Sequence, residues 1–317
     1  MPVTLDMKAP AAPKGVPSPA QEAINACVVP EEVQMGRAVL GGWIAVLVLI
    51  CALPWIINGE ALEPFGYGLP VWCLLSIAVY LQFGPKYLMG KLRGQGARAA
   101  ITSANKPTLK TMLSKASPVL GVREPRAFLS EATAPRARVW PEALLFNSSL
   151  FGIMDENEAS VLGLRGLAHQ KLGHGRRLAL LDMLEATPPI TRFLVWPVML
   201  YGRFLRQFWL PHANKSADRL AMLLVRNPSP MMSAIVKEFA ANDAHMQGME
   251  ITSQDVSNWI SQKGHIGLKG EEISTQYKLG RAIHETPLLE ERVQEIQRWA
   301  STAQFKEATE KLANTKR

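Results

Sequence analysis

His169 and His174 stand at one end of the stretch Leu164-Arg-Gly-Leu-Ala-His-Gln-Lys-Leu-Gly-His174. Two imidazoles this close invite metal chemistry. A helix carrying His-Glu-x-x-His puts both histidines on one face, where they share a zinc ion, and its glutamate activates the metal-bound water. Here the spacing is five instead of four. At about 100° per residue, a continuous helix would hold the two rings roughly 140° apart, too far for one tetrahedral ion without a rare π-bulge. Between them lie Gln170, Lys171, Leu172 and Gly173, none of which is a carboxylate base.

The elements that must position these residues read as mainly α with a small β-sheet. Arg126–Ser130 and Ala143–Phe146 are strand candidates, separated by a Pro/Arg-rich turn. Asp155-Glu-Asn-Glu158 supplies acids to a helix N-terminus, and the apolar periodicity after it predicts a helix to about Leu184 that carries both histidines. Further helices are expected at Ser216–Val225, at Pro230–Ala241 and from about Leu288, with a polar, glycine-containing stretch from Gly248 to Gly270. No internal repeat is evident.

The chain has 317 residues, a hydrophobic content of 48% and a formal charge of +8, which excludes a disordered protein. Cys27, Cys51 and Cys73 support neither a disulfide framework nor a thiolate cluster. Residues 1–37 read as a flexible cytoplasmic tail. Two uncharged runs, 38–57 and 65–84, are each long enough to cross a bilayer and form an expected transmembrane hairpin over 38–84. Their connector carries Glu60 and Glu63 but no Lys or Arg, whereas Lys86, Lys91, Arg93, Arg98, Lys106, Lys110 and Lys115 follow, so both termini are expected in the cytoplasm. Residues 85–317 then form a cytoplasmic domain. Within it, 189–211 reads as a segment on the membrane surface, with Trp196, Tyr201, Phe204, Phe208 and Trp209 at the interface, or as a buried core helix. Neither zinc-finger spacing nor an aromatic-interleaved motif accompanies the positive charge, so no specific nucleic-acid partner is expected.

The order of these features resembles the HtpX-type membrane zinc metallopeptidases, relatives of the CaaX prenyl proteases, over most of the chain. After the hairpin, Val122-Arg-Glu-Pro-Arg-Ala-Phe-Leu-Ser130 is similar to that family's first strand. Ala143–Leu150 with Met154-Asp-Glu-Asn-Glu158 is similar to the strand and acidic helix start before its metal helix. Gly166-Leu-Ala-His-Gln-Lys-Leu-Gly-His174 stands against the family's LAHELGH, Ser216-Ala-Asp-Arg-Leu-Ala221 against its EADR-type helix, and Thr286-Pro-Leu-Leu-Glu-Glu-Arg-Val293 against its closing segment. The resemblance implies a zincin-like metallopeptidase fold at a membrane, the bacterial inner membrane being the natural setting.

Carried over position by position, the family's site is degenerate in every register. Aligned on Leu172-Gly173-His174, His174 is the second ligand, but Gln170 and Lys171 replace the first histidine and the glutamate. Aligned on Leu167-Ala168-His169, His169 is the first ligand and His174 falls out of phase. Aligned without gaps from Asp155, Arg165, Gly166 and His169 take the three places. Asn214 stands where the family has its third ligand, a glutamate, and an amide is a poor zinc ligand. Asp218 matches the acid that orients that site, and Thr286 replaces a histidine of the closing segment.

The resemblance therefore implies a membrane-anchored peptidase relative that no longer cleaves, needs no cofactor and acts by binding. Arg165, Lys171, Arg176 and Arg177, on or beside the metal helix, would repel zinc and favour an acidic peptide or a membrane-protein partner, besides membrane lipid. Two alternatives stay open. One is a zinc peptidase with unusual ligands, His169 or His174 joined by His212 or Asp218, with His245, His265 and His284 as spare imidazoles. The other is a basic scaffold at the membrane surface.

Overall fold

The computed structural model describes residues 18–57, 67–78, 99–131, 134–242 and 289–314, which are mostly helical with one small mixed sheet. Strands β1 (Ala99–Ala100), β2 (Arg126–Ser130), β3 (Ala137–Val139) and β4 (Ala143–Asn147) lie in the order β1-β2-β4-β3. β2 and β4 run parallel in the register Arg126↔Ala143 to Ser130↔Asn147, while the two outer strands pair antiparallel. The expected strands at 126–130 and 143–146 are present. β3 forms inside what composition suggested was only a turn, because Ala137–Val139 completes the ladder opposite Leu144–Phe146.

Helix α6 (Glu156–Lys171), which follows the short helix α5 (Leu150–Ile153), is the central element and is buried along most of its length. Its start has a capping box: the Asp155 carboxylate accepts from Glu158 N at 2.8 Å, and Glu158 Oε2 accepts from Asp155 N at 3.1 Å. Glu158 also accepts from Ser233 and Lys237 of helix α11 (Pro228–Asn242), which hold its carboxyl below the usual carboxylate range against the opposing effect of burial. Beside α6 lie helix α4 (Pro107–Leu120) and helix α10 (Leu210–Val225), and Leu144 and Phe146 of β4 meet it from the sheet. The opposite face of the sheet, with Phe128 and Leu145, is covered by Trp140 and by Ala179 and Met183 of helix α7 (Gly175–Glu185).

Two expectations about the N-terminal region change. Residues from Ser18 onward are not a loose tail. Ser18 Oγ accepts from Gln21 N at 3.2 Å and caps helix α1 (Pro19–Cys27), whose Ala23, Ile24 and Cys27 enter the main core. This apolar stripe is only three residues long, so the surrounding prolines mask it in the composition. Helix α2 (Pro30–Ile57) starts eight residues before the uncharged run and includes one stretch, Pro30–Leu53, long and apolar enough to cross a membrane. A shorter apolar helix, α3, covers Tyr67–Ala78. The remainder of the expected 65–84 span, the basic residues from Lys86 to Arg98, the 248–270 stretch, His245, His265, His284 and Thr286 lie outside the described residues.

The helix expected to run from Asp155 to about Leu184 is two helices. Gly173 adopts φ +77° and reverses the chain after Lys171, and α7 begins at Gly175. Residues 189–211 form helix α8 (Pro189–Leu194), helix α9 (Trp196–Phe204) and a π-helical turn (Leu205–Trp209) that leads directly into α10. The C-terminal helices are α12 (Leu289–Ser301) and α13 (Ala303–Asn314), and α13 packs on α1 with Lys311 Nζ 2.8 Å from Glu22.

Candidate functional site

The reversal at Gly173 decides how the two histidines meet. Instead of diverging around one helix, His174 folds back so that its Nδ1 lies 2.9 Å from Nδ1 of His169, with the ring centroids 5.2 Å apart. The 140° separation expected of a continuous helix is thereby corrected. His174 Nε2 lies 2.7 Å from Glu32 Oε1, in the first turn of α2. Trp209, supplied by the π-helical turn, meets His174 edge-on at 5.2 Å and carries the Arg177 guanidinium over its ring at 4.9 Å.

A chain of three groups, Glu32, His174 and His169, therefore runs from α2 to α6. The carboxylate accepts from His174 Nε2–H, and one proton is shared between the two Nδ1 atoms. His169 is held well below its ordinary pKa, first by burial and then by the charges of His174, Arg165 and Arg292, so it is neutral at pH 7. A carboxylate-oriented imidazole is the arrangement of a general base. Here the free edge of that imidazole faces a second histidine instead of a nucleophile, and the rings are 3% and 2% exposed, which leaves a substrate no approach.

One turn before His169 on the same face of α6, Arg165 fills the space between helices. Its Nη2 donates to Asn214 Oδ1 at 2.9 Å, its Nε lies 2.9 Å from Asp218 Oδ1, and its Nη1 donates to Glu238 Oε2 at 3.2 Å. From the C-terminal side, Arg292 of α12 grips the same Asp218 with Nε at 3.0 Å and Nη2 at 2.8 Å. Two cations and two anions thus share one buried cluster, so their charges balance. Four residues in pairs, Arg165 with His169 on α6 and Asn214 with Asp218 on α10, bring the facing turns of the two helices together. Arg165 and His169 are two of the three positions of the gap-free register, and Asn214 and Asp218 are the positions that the resemblance gives to a third ligand and its orienting acid.

The third position of that register, Gly166, lies against the sheet. A Cβ there would come within 2.7 Å of Leu144 Cδ2 and 3.4 Å of Val139 Cγ2, so the Leu144 side chain closes over this turn of α6. A larger side chain at this place would have to displace the end of Leu144.

This donor set does not suit a zinc ion. A guanidinium occupies the space between α6 and α10, Asn214 Oδ1 already accepts from it, and His169 is the one imidazole on that face. Among the described residues, no three His, Cys, Asp or Glu side chains converge so as to hold a metal. His212 is half-buried in α10, with its pKa lowered by burial and by Lys215, and it joins neither histidine by a hydrogen bond.

The four cations expected to form one basic face are instead dispersed. Arg165 is spent inside the protein, Arg177 lies over Trp209, Lys171 is half-buried near Gly121, and Arg176 is exposed. Sequence reasoning missed Glu32, Glu238 and Arg292. Arg292 lay within the Thr286–Val293 segment that the resemblance singled out, and it is the residue there that reaches Asp218. Compared with protein-family models, with curated proteins and with solved structures, the chain matches none.

Proposed function

We propose that this chain is a membrane-anchored, non-catalytic relative of the HtpX-type zinc metallopeptidases, with a zincin-like helix pair held by a transmembrane hairpin, that works by binding a protein or peptide at the cytoplasmic face of the membrane. The observation that carries the reading is Arg165. Its guanidinium sits among Asn214, Asp218 and Glu238, where the resemblance expects a metal ion, and so supplies the positive charge these groups need. Gly166, packed on Leu144, supports the same reading, because the place of the catalytic acid carries no side chain and the end of Leu144 lies over it. The helix pair is kept as a scaffold and its reaction is not.

With Arg165 consumed, the partner-facing charge falls to the exposed Arg176, which suits acidic segments. Cross-linking the full chain in native membranes, with and without Arg176→Glu, tests this. A partner captured by the wild type and lost from the variant supports the reading, and identical capture by both contradicts it.

One observation favours a second reading. The 2.9 Å approach of two Nδ1 atoms, with Glu32 fixing the far nitrogen of His174, resembles a carboxylate-oriented metal ligand, and a small separation of the rings would admit an ion between them. Stoichiometric zinc that is lost on His174→Ala would support this unusual-ligand peptidase instead.

A further inference from the structure

We propose that α7, α8 and α9 form a hairpin that dips into the bilayer beside α2, its tip at the upper acyl-chain level and its arginines among the lipid phosphates. This rests on the membrane reading of α2 and is independent of what became of the metal site. The chain itself supplies the depth scale. Arg37 is the last charge before the uncharged run of α2, so it marks the head-group level, and Trp43 lies six residues beyond it, about 9 Å further along the helix axis.

The α9–α10 rod runs antiparallel to α2, and its contacts can be read off that scale. Val29 N donates to Ser216 Oγ at 2.9 Å, below the head groups. Val39 packs with Leu181, Leu205 and Trp209, close to the level of Arg37. Trp43 Nε1 donates to the Pro197 carbonyl at 2.8 Å, and its ring lies 5.0 Å from that of Tyr201. The α7–α9 pairing is close: any Cβ at Gly202 would collide with Leu184, so the two arms rise together from the site.

At the tip, Phe193 of α8 meets Trp72 of α3 at 5.1 Å, and Trp196 meets the same indole at 6.5 Å. Trp43, Trp72, Trp196 and Tyr201 thus gather at one depth, the pattern of an interfacial aromatic belt. Phe193 is 69% exposed there and touches α3 at Trp72, and Ile44, Val48, Leu74 and Leu75 of the neighbouring apolar helices are exposed as well. Acyl chains that cover α3 around Trp72 would meet Phe193 as well. A tip about 9 Å to the acyl-chain side of the head groups is within the reach of interfacial elements.

The charges agree with this placement. Arg203 is exposed one turn below the tip, and its long side chain reaches back to phosphate. Arg206 lies lower, 4.0 Å from Glu185 at the end of α7. Arg192, at the tip, donates from Nε to the Thr187 carbonyl at 2.9 Å, which satisfies a backbone group that no water would reach, and leaves its Nη atoms to reach back toward phosphate.

The test uses the full chain in phosphatidylglycerol-containing vesicles, with Cys27, Cys51 and Cys73 replaced by alanine and one environment-sensitive fluorophore attached at a new cysteine. Phe193→Cys and Thr191→Cys report the tip, Val48→Cys reports α2, and Ser114→Cys on the exposed side of α4 reports water. The expected result is that both tip probes lose most of their emission to lipids brominated near the glycerol end and little to aqueous iodide, as Val48 does with deeper bromines, while Ser114 responds to iodide alone. Tip probes quenched by iodide as strongly as Ser114, or shielded from both quenchers by a covering protein surface, overturn the proposal while Val48 remains in lipid. Val48 open to iodide would overturn the membrane reading itself.

Discussion

Arg165 Nη2 donates to Asn214 Oδ1 across 2.9 Å, joining the two helices at the turn where Asp218 and Glu238 complete the guanidinium's surroundings. The bond is part-buried and charge-assisted, and it makes Arg165 the tie between α6, α10 and α11. Arg165→Met leaves Arg292 as the one cation of the cluster for both carboxylates, so it should cost about 2–4 kcal/mol, toward the lower part of what breaking a buried pair costs. Arg165→Lys, with one nitrogen in place of three, should fall between the wild type and the methionine variant. Urea unfolding of the protein in detergent measures both, and a loss under about 1 kcal/mol for Arg165→Met would count against the cluster as described.

Gly166 allows α6 to rest on β4. Adding one methyl, Gly166→Ala, brings a carbon within 2.7 Å of Leu144 Cδ2 and should destabilise by about 1–3 kcal/mol despite alanine's better helix propensity. The two positions should couple: in a double-mutant cycle with Leu144→Ala, the alanine at 166 should cost much less. Additive losses would mean that the close approach is not where the strain arises.

His169 gives the fold a pH dependence. Its pKa is lowered in the folded state, so below the ordinary value of 6.5 the unfolded chain takes up a proton that the native chain refuses. Its contribution to stability is complete above that value and is lost as the pH falls toward the folded pKa, with a slope of about 1.4 kcal/mol per pH unit. His169→Gln, which cannot titrate, should flatten this part of the stability curve between about pH 6.5 and 5. An unchanged slope would place the linkage elsewhere.

Asp182 runs the other way. Burial beneath Trp140, whose Nε1 donates to Oδ2 at 2.8 Å, raises its carboxyl above the ordinary 3.8 in spite of Arg138 and Arg136 nearby. A carboxyl with a raised folded pKa weakens the fold fully above that pKa, and the penalty disappears as acid protonates it. Asp182→Asn keeps an acceptor for Trp140 and removes the charge. It should therefore raise the unfolding midpoint at pH 7, and the gain should vanish at acidic pH. A lower midpoint at pH 7 would show that the charge is needed.

The fold and the site were not equally legible in the sequence. The Asp155/Glu158 cap, the 126–130 and 143–147 strands and the helices of the last third follow from local chemistry, so the residues alone point to them. What the sequence hid depends on a single dihedral angle and on distant segments. A positive φ at Gly173 returns His174 to His169, and periodicity cannot register one reversal inside an otherwise helical pattern. Glu32, Glu238 and Arg292 lie far from the motif along the chain and carry no local signature, so only the packing of α2, α11 and α12 reveals them. The supposed basic face dissolved for the same reason, because Arg165 and Arg177 find partners from other helices.

The most direct measurement is the metal content of the full chain, purified without chelator and then exposed to excess zinc and desalted. A guanidinium in the place of the ion predicts far less than one zinc per chain, no change on His169→Ala or His174→Ala, and no cleavage of casein by any of the three proteins. One zinc per chain, lost with either alanine variant and accompanied by cleavage, would contradict the account.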